Sequence, residues 1–176
     1  FEEKGYLVNP DAEEKAYQAA YKKFIHQRNE DEIQIFFVPW YLCNFSCSYC
    51  FQDQYTNKNS SLDTDTIDAF FRYIENTFKD RRKYITLFGG EPLLPGDSYR
   101  NTIRYFLKKA RHKSLEIAIV TNGYHLIDYI DELSDSAIRE IQVTLDGTEE
   151  IHDARRKMKN GNGSFNQIVK GVDAAL

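Results

Sequence analysis

No stretch of the 176-residue chain is apolar for long enough to cross a bilayer; the clearest hydrophobic runs, Ile35 to Trp40 and Ile117 to Val120, fall far short of a span. Phe1 is not followed by a charged segment and an apolar signal core, so no secretory leader is expected, and a first residue other than Met suggests a trimmed or processed amino terminus. Nor is there an excess of charge of one sign. With 23 Lys and Arg against 27 Asp and Glu, the net charge is −4 and the pI near 5.6. That balance gives no long basic surface for nucleic acid or an anionic membrane. Cysteine is scarce too: three residues, which leave no closed set of disulfide pairs, and no second Cys-x-x-Cys follows. What remains is 41% hydrophobic and 14% aromatic, enough for about one domain with a buried core.

The three cysteines, Cys43, Cys47 and Cys50, sit within eight positions, just past the hydrophobic run Ile33 to Val38. Spacings of four and three residues in a loop can turn three thiolates toward one point, which suits a metal centre. Three cysteines cap three irons of a cubane iron–sulfur cluster and leave the fourth open to a chelating small molecule. The alternative is a structural zinc site, which needs a fourth ligand. His26, His112, His125 and His152 are the histidines available, and none is close to the cysteines in sequence. Thiolates reserved for an oxygen-sensitive centre fit a reducing compartment, and a cytoplasmic protein is expected.

Periodicity then organises the rest. Asp11 to Arg28 reads as a peripheral helix begun by Pro10-Asp11. From Ile33 onward, β-rich runs alternate with helical stretches. Ile33 to Val38 precedes a helix from Thr64 to Phe78, capped by Asp63, with Ile67, Phe70, Phe71 and Ile74 at helical spacing. Tyr84 to Phe88 precedes a helix from about Ser98 to Arg111, with Ile103, Phe106 and Leu107 inward. Leu115 to Val120 precedes a short helix over Leu126 to Leu133. Ile138 to Leu145 leads through a Gly-rich loop to a helix from Ser164. Four βα units in succession predict an α/β fold with a parallel sheet, whose chemistry gathers at the carboxyl ends of the strands. Each predicted strand does end in chemical residues: the cysteines, Gly89-Gly90-Glu91-Pro92, Thr121-Asn122-Gly123, and Thr144-Leu145-Asp146-Gly147. Singly, the last three are ordinary turn sequences.

These motifs, with Ile151-His152-Asp153-x-x-Arg156 and Gly161-x-Gly163-Ser164-Phe165, resemble the radical S-adenosylmethionine superfamily. Within it they are most like the peptide- and protein-modifying branch that includes anaerobic sulfatase-maturating enzymes and SPASM-type peptide maturases. The resemblance runs from about Ile33 to Leu176. It implies the amino-terminal four-strand portion of a partial (β/α)6 barrel over 33–176, truncated after the fourth βα unit, behind a helical extension over 1–32; a fragment of a longer enzyme is therefore expected. It also implies a [4Fe-4S] cluster on Cys43, Cys47 and Cys50, with S-adenosylmethionine on the open iron. Gly89 and Gly90 would let backbone approach that ligand, Glu91 would accept hydrogen bonds from its ammonium, and Tyr49 would flank the adenine. Thr144 would bond the ribose or carboxylate end and Arg156 the carboxylate, with Arg155 its fallback. Asn122 is a possible cofactor contact or a turn residue. Asp146 could equally cap its loop, and His152-Asp153 form a local hydrogen-bonded pair; Trp40 and Tyr41 read as packing residues. The implied reaction is reductive cleavage of S-adenosylmethionine to a 5′-deoxyadenosyl radical that abstracts hydrogen from a peptide or protein. An electron donor such as flavodoxin or ferredoxin would supply the electron. A second reading is a non-catalytic metal-binding or partner-docking module with a structural iron–sulfur or zinc site.

Overall fold

All four β-rich runs form strands in the computed structural model, which describes residues 4, 9–52, 62–134 and 137–176. They are β1 (Ile33–Phe37), β2 (Lys83–Leu87), β3 (Glu116–Thr121) and β4 (Ile138–Val143), and they lie side by side in chain order. β2 pairs with β3, and β3 with β4, in parallel, with Ile85 beside Ile117 and Ile119 beside Ile141. Parallel neighbours taken in sequence need a crossover each, and right-handed crossovers put every helix on one face, as in the wall of a barrel.

The helices are the ones the hydrophobic spacing predicts. In α2 (Thr64–Thr77) the Asp63 carboxylate accepts from Thr66 N at 2.7 Å, and Ile67, Phe71 and Ile74 are buried. In α3 (Asp97–His112) the buried positions are Ile103, Phe106, Leu107 and Ala110, while Lys109, Arg111 and His112 in the last turn complement the helix dipole. Phe37 of β1 stacks on Phe106 with centroids 4.6 Å apart, and Phe70 and Phe71 close around the pair. This aromatic cluster joins Ile85, Leu87, Ile117 and Ile119 in the main core. A 3-10 turn (Leu126–Tyr129) runs into α4 (Ile130–Ser134), and Tyr129 donates to Leu94 O at 2.6 Å from within that core.

The stretch after β4 departs from expectation. β4 stops at Val143, and the segment read as a Gly-rich loop contains a helix, α5 (Glu149–Arg155), before α6 (Phe165–Ala175). Thr148, extended at φ −64°, begins α5, and Glu149 and Glu150 in its first turn favour the positive end of the helix. Two turns are too short to display a 3.6-residue period, so the pattern could not reveal them.

The chain divides into two compact units, Phe1–Ile33 with Asp80–Arg82, and Gln34–Lys79 with Lys83–Leu176. In the first, α1 (Pro10–Glu30) is capped by Asn9, whose side chain accepts from Asp11 N at 2.9 Å, and none of its residues is buried. Residues 1–3 and 5–8 of the expected extension lie outside the described residues. No described helix is long and apolar enough to cross a membrane.

Candidate functional site

Four loops, one from the carboxyl end of each strand, are joined by hydrogen bonds along a single rim. After β1 the backbone runs beside the Gly-Gly-Glu turn: Gly90 N donates to Trp40 O at 3.1 Å and Glu91 N to Leu42 O at 2.9 Å. Trp40 is buried and returns a bond from Nε1 to Glu91 O at 2.6 Å, which makes it a packing residue as expected. The approach is so close that a Cβ on Gly90 would fall onto Leu42 O and lie 2.5 Å from Tyr41 O, and one on Gly89 would lie 2.6 Å from Trp40 O. The chain's own backbone therefore demands these glycines, where the sequence suggested a ligand. Gly90→Ala is expected to destabilise the protein by about 3 kcal/mol, since overpacking against backbone cannot relax. Chemical denaturation measures this; a change below about 0.5 kcal/mol would show that the two loops do not pack this way.

Glu91 is held within the fold. It is 1% exposed, and its carboxylate accepts three hydrogen bonds from the protein: Leu93 N at 2.8 Å and Thr121 Oγ1 at 2.6 Å on one oxygen, Asn122 N at 2.7 Å on the other. Burial pushes its pKa up, against the three bonds that favour the ionised form. A side chain so enclosed ties β2 to β3.

Asn122 is also buried. Its Oδ1 accepts from Tyr124 N at 3.0 Å, so its Nδ2 turns to the cysteine loop, 2.8 Å from Asn44 Oδ1 and 3.9 Å from Cys43 Sγ. It is thus both turn chemistry and a neighbour of the thiols. Asn44 carried no sequence signal beyond its place next to Cys43.

The thiols themselves are half-buried and free of disulfides. Phe45 N donates to Cys43 Sγ at 3.4 Å, and Cys50 N to Cys47 O at 3.1 Å. Burial, with the charges of Glu91, Cys47 and Cys50, raises the Cys43 thiol to about 11 despite the Phe45 bond. The three are near enough to act on one another, but among the described residues no three His, Cys, Asp or Glu side chains converge to hold one metal ion. Ligands of a single zinc must each come within about 2.3 Å of it, whereas in a cubane each cysteine takes its own iron and the sulfurs stand apart. The histidines sit elsewhere: His26 faces Glu30, His125 lies 2.9 Å from Asp128, His152 uses both ring nitrogens within the fold, and His112 lines a cavity that shares no residue with the cysteine loop. The donor set fits a cluster, with two N–H groups aimed at the Cys43 sulfur.

A strap from the segment after α5 holds the loop. Ser46 N donates to Lys157 O at 2.7 Å, Ser48 N to Arg155 O at 3.4 Å and Lys159 N to Asn44 O at 3.0 Å, while Phe45 bridges to Met158. Phe45, Met158 and Ile168 form a small apolar cluster against Cys43 and Cys47.

Tyr49 and the end of β4 complete the rim. Tyr49 Oη donates to Asp146 Oδ2 at 2.6 Å and accepts from Arg156 Nη1 at 2.9 Å, and the Arg155 guanidinium lies 5.0 Å over its ring. Arg155 Nε also reaches Asp146 at 3.0 Å. Burial pushes the Asp146 pKa up, but the Tyr49 and Arg155 bonds and the Arg156 charge carry it below the ordinary carboxylate value. Arg156 is largely buried; desolvation opposes its charge, and Cys47, Tyr49 and Asp146 outweigh it. Thr144 lies half-buried just past β4, its N–H bonded to Thr121 O at 3.3 Å.

His152 and Asp153 form local supports. His152 is fully buried, accepting from Asp146 N on Nδ1 and donating from Nε2 to Ser164 Oγ at 3.1 Å, the neutral tautomer these partners assign. Asp153 caps α6 by accepting from Ser164 N and Phe165 N. Burial and the Arg156 charge lower the His152 pKa. The unfolded chain then takes up a proton first as pH falls below about 6.5, so stability is full above that value and is lost across the window down to the depressed folded pKa. A denaturation midpoint that falls between about pH 7.5 and pH 5, and falls less in His152→Gln, is the expected result. An equal fall in both proteins would assign the effect elsewhere.

A cavity of about 850 Å³ lies apart from these loops, lined by Arg104, Lys108, His112 and Asp131 among others; it shares no residue with them.

The sequence matches the family model described as the Radical SAM superfamily over residues 37–176. It is 27% identical over 136 residues to a GTP 3′,8-cyclase of Nautilia profundicola, covering 76% of this chain and 40% of that protein. It is 31% identical over 137 residues to a cysteine-type anaerobic sulfatase-maturating enzyme of Clostridium novyi, covering 74% and 36%. Among solved structures, anSMEcpe with bound AdoMet and a Cp18Cys peptide superposes with a TM-score of 0.63 at 20% identity, over 82% of this chain and 40% of that one, a likeness of fold. The chain thus spans about two fifths of the length of these relatives.

Proposed function

Because the chain belongs to the radical SAM superfamily, we propose that Cys43, Cys47 and Cys50 hold a [4Fe-4S] cluster and that the surrounding rim receives S-adenosylmethionine. When bound, the two supply reductive cleavage of the sulfonium carbon–sulfur bond and a 5′-deoxyadenosyl radical able to take a hydrogen atom from a substrate. The observation that carries this reading is the meeting of all four strand-end loops beside the three thiols.

In this reading the backbone of Gly89 to Glu91, braced from beneath by the buried Glu91 carboxylate, presents a fixed edge to the methionine moiety. Tyr49 offers a ring to the adenine, Thr144 a hydroxyl, and Asn122 a bond to the Cys43 sulfur. Arg156 holds a positive charge beside Cys47, suited to a cluster carrying anionic thiolates. With Arg156 engaged to Tyr49 and Asp146, the more exposed Arg155 is the freer cation for a ligand carboxylate.

The substrate we favour is a peptide or protein, supported by the ordered motifs and by the likeness to sulfatase-maturating enzymes of both the cysteine and serine types. A nucleotide is the second reading, supported by the GTP 3′,8-cyclases among the relatives. Anaerobic reconstitution with iron and sulfide, then reductant and S-adenosylmethionine, tests the chemistry through release of 5′-deoxyadenosine. Deuterium transfer into 5′-deoxyadenosine from a deuterated cysteine- or serine-containing peptide supports the first substrate, and transfer from deuterated GTP the second. Zinc bound without acid-labile sulfide and no 5′-deoxyadenosine would reject both for a structural metal module.

A further inference from the structure

Two buried polar atoms near the cysteines have no hydrogen-bond partner among the described residues, Arg156 Nε and Asn44 Nδ2, and the second lies next to Cys43 in the chain. Its orientation is not arbitrary, because the amide is set from outside. Tyr124 N binds Asn122 Oδ1, which turns Asn122 Nδ2 to Asn44; Asn122 Nδ2 must meet an oxygen, so Asn44 Oδ1 faces it at 2.8 Å. Flipping Asn44 would set two NH₂ groups against each other. Asn122 is in turn anchored through its backbone N–H to the buried Glu91 carboxylate. A chain of three fixed groups therefore ends in a dry donor, left unpaired next to the first cysteine. Such a donor costs about 1–3 kcal/mol when unsatisfied, and no described residue compensates it.

We propose that Asn122 and Asn44 are positioning residues that donate to cluster sulfur: Asn122 Nδ2 to the Cys43 thiolate, 3.9 Å away, and Asn44 Nδ2, whose amide presents Oδ1 to the Cys43 thiol, to an inorganic sulfide of the cluster. The proposal rests on the cluster reading above. Hydrogen bonds to sulfur stabilise the reduced, more negative cluster and raise its potential. The pair thus eases entry of the electron that starts the reaction, without itself touching substrate.

The test is a redox titration of the reconstituted protein followed by electron paramagnetic resonance, with iron and sulfide determined for each variant. Asn44→Leu removes the donor, and the reduction equilibrium is expected to fall at least tenfold, a shift of about 59 mV to more negative potential for one electron. Asn122→Ala is expected to shift it the same way. Asn44→Ala, smaller and uncharged, keeps the test open if the leucine variant fails to fold, and its potential must also fall. Full cluster content with an unchanged potential overturns the proposal. So does a folded variant that cannot retain the cluster, since a donor to sulfur already held by three cysteines is not needed for retention. Failure of the unsubstituted protein to take up iron and sulfide is the distinct outcome that removes the cluster reading itself.

Discussion

Alanine at Cys43, at Cys47 or at Cys50 is expected to leave the anaerobically reconstituted protein without a stable cluster and without 5′-deoxyadenosine formation. Each thiolate of a three-cysteine site caps one iron, so losing one opens a second corner rather than weakening a shared bond. The fold gives no substitute: His125 and His152 are engaged elsewhere, and the Glu91 carboxylate is consumed by three donors. Because the loop is also held by its strap to Arg155, Lys157 and Lys159 and by the Phe45–Met158 bridge, the apo variants should fold nearly as well as the unsubstituted apo chain. Iron and sulfide analysis beside a denaturation curve separates the two effects. A single variant that keeps full iron and sulfide and still cleaves S-adenosylmethionine contradicts the assignment of that cysteine.

Glu91→Ala is expected to show the reverse profile, a large loss of stability in the apo chain. Removing the carboxylate strands Leu93 N–H, Asn122 N–H and the Thr121 hydroxyl in the interior. At about 1–3 kcal/mol for each of the three donors left unsatisfied, the loss is on the order of 3–9 kcal/mol, a large share of the ~5–15 kcal/mol of an ordinary domain. Glu91→Gln keeps one acceptor and sets an NH₂ against a backbone N–H, so it should fall between. Equilibrium denaturation without iron decides the matter. An alanine variant as stable as the parent, but impaired in S-adenosylmethionine binding, would assign Glu91 the ligand role its sequence motif suggested.

The architecture was legible because the βα alternation and its strand-end residues are local patterns. Asp63 before Thr64, and Ile67, Phe71 and Ile74 after it, state a helix and its buried face within a dozen residues. The same holds for Ile103, Phe106 and Leu107, and for the placement of four chemical loops on one rim. What escaped was set by distance along the chain. Gly89 and Gly90 look alike whether they admit a ligand or the backbone of Trp40 to Leu42, and only the fold tells which. Glu91 and Asn122 meet 31 positions apart, and Asn44 meets Asn122 across 78, separations at which no spacing rule operates. The helix Glu149–Arg155 escaped for the opposite reason: it is too short for periodicity to register.

The most direct test is the electron paramagnetic resonance spectrum of the reduced, reconstituted protein recorded with and without S-adenosylmethionine. A cubane held by Cys43, Cys47 and Cys50 has an iron free to be chelated, and its signal should change in shape when the sulfonium compound is added. A spectrum indifferent to the addition, or a protein that binds metal but no sulfide, would contradict an open-cornered cluster at these three thiols.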